Sequence, residues 1–142
     1  MMNKYQKRTD YFVSYEIAKP GVRVHNFLEN ADYTTDEDHC VILTGTVGEQ
    51  WTVGLEAFKK KYAVDEDQLS IGCTGKVHPK ANAEIIFAEP ATEITEVVTK
   101  YGARLTAQVG DMIAYGDKNG EPDQNKRWVI NQEVFKTTYE QI

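Results

Sequence analysis

Short runs of β-favouring apolar residues, each followed by an apolar stripe at helical spacing, occur twice along this chain. Residues 41–45, VILTG, lead through Thr46, Val47 and Gly48 into EQWTV. Two apolar runs parted by a Gly-punctuated turn predict a β-hairpin. The second occurrence reads MIAYG from Met112, then DKNGEPDQNK, then RWVI, so its tip is six residues longer. Asp117, Asn119, Gly120 and Pro122 are turn formers and mark that tip as exposed. After each hairpin, Leu55, Phe58 and Tyr62, and then Val134, Phe135, Thr138 and Tyr139, fall on one face of a short helix. Asn131 stands where the second helix needs an N-cap.

These two segments are copies of one block. GEQWTVGLEAFKKKY and NKRWVINQEVFKTTY share Trp51/Trp128, Glu56/Glu133, Phe58/Phe135, Lys59/Lys136 and Tyr62/Tyr139, all at one offset of 77. Upstream, YFVSYEIAKP (11–20) and AEIIFAEPAT (83–92) both read as strands ending near a Glu and a Pro. Between strand and hairpin, Ile94, Val97, Val98 and Tyr101 form an amphipathic stripe that Gly102 can terminate, which predicts a helix. Its counterpart VRVHNFLENA is a shorter helical candidate. Each half therefore reads strand, helix, hairpin, helix. The expected class is α+β, with two pseudo-repeated βαββα-like halves packed as one compact domain and Trp51 and Trp128 in equivalent buried positions. The expected boundaries are a first repeat over 1–64, a joint over 65–82 and a second repeat over 83–142. A unit of about 65 residues buries a marginal core alone, and pairing two copies repairs that deficit.

With 41% hydrophobic residues the chain can bury a real core, and its formal charge of -6 argues against a general nucleic-acid binder. No apolar run approaches the roughly 20 residues of a membrane span. The start MMNKYQKRTDYFVSYE is too polar for a signal peptide, and two cysteines make no disulfide framework. A cytoplasmic protein with free thiols is expected.

Candidate chemistry is sparse. His39, Cys40, Cys73 and His78 lack the C-x-x-C spacing of a zinc site. Were His39 and Cys40 to enter a strand, they would point to opposite faces. Neither a G-x-S-x-G elbow nor a P-loop occurs. Asp36-Glu37-Asp38 and Asp65-Glu66-Asp67 depart from the EF-hand pattern and read as solvated acidic loops. Glu56 and Glu133 are accounted for by the positive end of a helix dipole. The expectation is no cofactor, no metal and no catalytic centre.

The terminal block resembles the PGDYG-motif family of small bacterial and prophage proteins, named after a Pro-Gly-Asp-Tyr-Gly motif. Gly110-Asp111 stands at the motif, followed by MIAYG, Trp128 and EVFKTTYE. The opening KYQKRTDYFVSYE resembles the start of small prophage proteins of this type. Val109 and Met112 replace the motif's proline and tyrosine, and His39-Cys40 replaces Gly-Asp in the first half. The resemblance implies a phage or prophage origin and carries no activity. The function expected is a non-enzymatic binding module for a host protein or a small ligand; a small cysteine hydrolase using Cys40 is the alternative. A protein partner would meet a hairpin edge or the acidic loops at Asp36, Glu37 and Asp38 and at Asp65, Glu66 and Asp67. A small ligand would occupy a pocket at the repeat seam, lined by Tyr101, Tyr115 and Phe87, with Arg104 and Arg127 to meet an anion.

Overall fold

A computed structural model describes residues 2–81 and 84–142. The chain divides into two compact units: an inner unit, Thr9–Lys80, and an outer unit formed by Met1–Arg8 with Ala81–Ile142.

The inner unit holds β2 (Val13–Ile17), β3 (Arg23–Asn26), β4 (Ala31–Thr34), β5 (Val41–Thr44), β6 (Gln50–Val53), α1 (Leu55–Lys61) and β7 (Thr74–Val77). Its antiparallel sheet runs β6-β5-β2-β7, and β3 and β4 form a separate hairpin. Alternation along the strands sends Val13, Ile17, Val41 and Leu43 to one face, where Phe58 and Tyr62 of the α1 stripe pack on them. Phe58 is completely buried.

The outer unit repeats that plan with β8 (Ile85–Pro90), β9 (Thr95–Val98), β10 (Arg104–Ala107), β11 (Met112–Lys118), β12 (Glu121–Ile130), α2 (Gln132–Thr138) and β13 (Tyr139–Gln141). The strand order is β12-β11-β8-β1-β13, where β1 is Asn3–Lys7 from the start of the chain. Register establishes the equivalence. Leu43 stands between Tyr15 and Trp51, and Ala114 stands between Ala88 and Trp128. Phe135 packs with Ile86, Ala88, Met112 and Ile130 as Phe58 packs in the inner unit.

The structure overturns the α+β expectation. Among the described residues the α-helices are two seven-residue segments, and the remaining framework is antiparallel strand. The helix expected over 94–101 is the β9–β10 hairpin, with Val97 opposite Leu105. Its apparent stripe is a coincidence of spacing: Val97 is buried, whereas Ile94, Val98 and Tyr101 are exposed. Thr95, Val97, Val98 and Thr99 are β-branched, and a pleated surface suits them better than a helix. VRVHNFLENA likewise folds as β3 and β4, with Val24 opposite Tyr33. The halves are therefore β-hairpin repeats, each closed by one short helix.

The two units follow the expected halves except that β1 groups with the outer sheet and β7 with the inner one. The expected joint includes a 3-10 turn, Glu66–Gln68, and supplies β7 to the inner sheet. Asn82 and Ala83, where the joint was expected to end and the second repeat and its first strand to begin, lie outside the described residues. Trp51 and Trp128 are equivalent but only half-buried, because their strands lie at the sheet edge.

Candidate functional site

The side of the inner sheet opposite α1 carries two cross-strand rows. One runs Gln50, Thr44, Ser14, Lys76, and the other Thr52, Ile42, Glu16, Thr74. Only Ile42 is apolar. The alternation that commits Val13, Tyr15 and Ile17 to the core forces Ser14 and Glu16 to this side. Gln50 donates from Nε2 to the Thr44 hydroxyl at 3.0 Å. Glu16, Thr74 and Lys76 are exposed. A shallow depression of about 360 Å³ lies here, lined by Ser14, Tyr15, Glu16, Ile42, Thr44, Gln50, Thr74, Gly75 and Lys76. Gly75 is needed beside it, since a Cβ there would come within 2.9 Å of the Tyr15 ring.

In the outer unit the equivalent rows are Arg127, Tyr115, Phe87, Lys4 and Val129, Ile113, Glu89. Phe87, Ile113 and Tyr115 join Val97 and Ala107 of the β9–β10 hairpin in a second hydrophobic cluster, with Val129 packed against it. The same side of the sheet is thus apolar in one repeat and mostly polar in the other, where Ile42 is the one apolar residue of the rows and is buried. Ser14 stands for Phe87, Thr44 for Tyr115 and Thr52 for Val129.

The expected seam residues all lie in the outer unit, where Phe87, Tyr115 and Arg127 are neighbours in one row and Tyr101 and Arg104 sit on the β9–β10 hairpin. Tyr115 and Arg127 face each other across β11 and β12, and the Tyr115 hydroxyl donates to Glu89 Oε1 at 3.2 Å. Burial first, then the Glu89 charge, pushes the Tyr115 phenol above its ordinary range. Arg127 Nε is buried without a hydrogen-bond partner among the described residues. Phe87 is core. Tyr101 is 89% exposed in the β9–β10 turn, and Arg104 on β10 pairs with Glu96 at 2.7 Å.

The acidic loops are built by local geometry. Asp36 Oδ1 accepts from the backbone N–H groups of Asp38 and His39 at 2.9 and 2.7 Å. Those bonds, the His39 one foremost, hold its carboxyl below the usual range. Glu37 and Asp38 are exposed beside it, and Asp65 accepts from the Asp67 N–H. Among the described residues no group of three or more His, Cys, Asp or Glu side chains is placed to hold a metal ion. Cys40 packs against the inner core, whereas the ring of the neighbouring His39 turns to Asp36. Cys73 lies 3.3 Å from the Ser70 hydroxyl, the main reason its thiol is pulled below its ordinary range. No described helix is long and apolar enough to cross a membrane.

The polar rows escaped the sequence reading. Their signal was there: SYEI set against FAEP gives Ser14 for Phe87 on the side away from the core, a contrast visible only once the strands are aligned. Comparison with known protein families, characterised proteins and solved structures finds no match for this chain.

Proposed function

We propose that this chain is a non-catalytic binding module that takes a small polar ligand on the open side of its inner sheet. The observation that carries this reading is the contrast between the repeats. One framework fills the side of the sheet opposite its helix with Phe87, Ile113 and Tyr115, and the other leaves there a depression of about 360 Å³. That volume falls at the lower end of ligand sites, about 300–1,000 Å³. Around the apolar Ile42, the lining provides a carboxylate from Glu16, an ammonium from Lys76, hydroxyls from Ser14, Thr44 and Thr74, and the Gln50 amide. A ligand bearing donors and acceptors of both charges suits that set. The PGDYG-type resemblance of the terminal block supports an accessory role of the phage or prophage kind. Cys40, packed on the core beside a His39 engaged elsewhere, favours binding over the thiol-hydrolase alternative.

The test is capture of small molecules from a bacterial lysate by immobilised wild-type chain, followed by release and mass spectrometry. Two variants serve as controls. Glu16→Gln/Lys76→Ala alters exposed groups only, and Ser14→Phe/Thr44→Tyr fills the depression with the residues of the other repeat. A molecule held by wild type should be retained at least about 10-fold less by both variants, about 1.4 kcal/mol in affinity. Equal retention by all three proteins, or none by wild type, rejects the assignment.

A further inference from the structure

The two repeats have exchanged their first strands. β1 precedes β2 in the chain as β7 precedes β8, yet β1 pairs with β8 and β7 pairs with β2. The registers correspond throughout. Tyr5 stands opposite Ile86, and Val77 stands opposite Val13. On the other side, Lys7 meets Tyr139 where Pro79 meets Tyr62. Each repeat body thus completes its sheet with a strand that belongs, by sequence, to the other repeat.

We infer that the β1 position also accepts β1 from a second copy of this chain, so that two copies can form a reciprocally exchanged dimer. The position is built for this strand. Tyr5 meets Phe135 edge-on with ring centroids 4.8 Å apart, Lys4 lies 5.7 Å from the centre of the Phe87 ring, and Gln6 Nε2 donates to Glu140 Oε1 at 2.8 Å. Another copy's β1 offers the same groups in the same register. Before β1 arrives, β8 lacks a neighbour on one side and β13 has no strand to pair with, and an open apolar strand edge is a template for pairing. The strand comes from the far end of the chain, since Gln6 and Glu140 are 134 residues apart. Contacts of such separation are slow to close, because the loop-closure entropy comes first, and that leaves time for another copy to compete. The tethered strand has an effective concentration on the order of 1 mM, so exchange between copies emerges as the chain nears that concentration during refolding.

The Gln6–Glu140 pair provides the test because both side chains are exposed. Chains carrying Gln6→Cys alone and Glu140→Cys alone are mixed, unfolded, refolded together at about 1 mM or about 1 µM, and oxidised. The expected result is a crosslinked species of twice the chain mass that requires both variants and dominates only at the higher concentration. Wild type refolded in the same way should show a dimer of the same concentration dependence by light scattering. A double variant, Gln6→Cys/Glu140→Cys, reports whether β1 and β13 pair at all. The proposal is overturned if the double variant closes its intrachain link while the mixture never crosslinks. It is equally overturned if the double variant fails to close, since β1 then does not occupy the position.

Discussion

Glu49 shows how tightly single residues are bound to the hairpin turns. Its carboxylate folds over Gly45, where an added Cβ would come within 1.8 Å of Oε1, and the residue is 5% exposed. Lys126 lies over Gly116 in the same way in the other repeat. Burial outweighs the long 3.4 Å contact from the Val47 N–H and pushes the Glu49 carboxyl above its ordinary value of 4.5. An acid raised in the folded state penalises folding when both states are ionised, and the penalty disappears once both are protonated. Glu49→Gln should therefore be more stable than wild type in urea unfolding at pH 7, with the gap closing as pH falls through the raised value and below 4.5. Asp32 acts in the opposite sense, since its hydrogen bond from Arg23, then that from His25, lowers it. Any support it provides is present above 3.8 and is lost as pH falls through its depressed folded value. Taking the difference between variant and wild type isolates Glu49. An unchanged gap from pH 7 to pH 4 would contradict the assignment.

At the scale of elements, the hairpins and both terminal helices were legible because their signals are local. Asn131 accepts from the Glu133 and Val134 N–H groups as an N-cap should. Asn119 and Gly120 both have positive φ, the signature of a two-residue hairpin turn. The β9–β10 hairpin was misread because four apolar positions spaced i, i+3, i+4 and i+7 match a helix face by coincidence, and the β3–β4 hairpin was misread as its counterpart; only pairing with a second strand decides. The role of Asp111 was equally hidden. It is buried, with Oδ2 accepting from the Gln108 N–H at 3.0 Å and Oδ1 from the Gln132 N–H at 3.2 Å. It thereby ties the start of β11 to the start of α2. Cys40 holds the equivalent position in the inner unit, and Gly54 begins α1 without a side-chain cap. Asp111→Ala strands two part-buried donors and should cost about 2 kcal/mol in chemical denaturation. Cys40→Ala removes only packing and should cost roughly 1 kcal/mol. Equal losses would refute the tie.

The whole molecule was the least legible, since strand exchange leaves no mark in local pattern. KYQK precedes the first expected strand and TGKV falls within the expected joint, and only register reveals that each completes the sheet of the body farther along or back in the chain. The open inner side shares that origin: it is defined by what Phe87 and Tyr115 do elsewhere in the chain. The central claim, that the outer unit is completed by the first strand of the chain, predicts where damage falls when that strand is removed. The decisive measurement is hydrogen exchange, by mass spectrometry, on the full chain and on a chain lacking residues 2–8. The account predicts that amides in β8, β11 and β13 lose their protection, while β2, β5 and β7 of the inner unit keep theirs. Retained protection in β8 and β13, with loss in β2 and β5, would show that β1 serves its own repeat and would contradict the account.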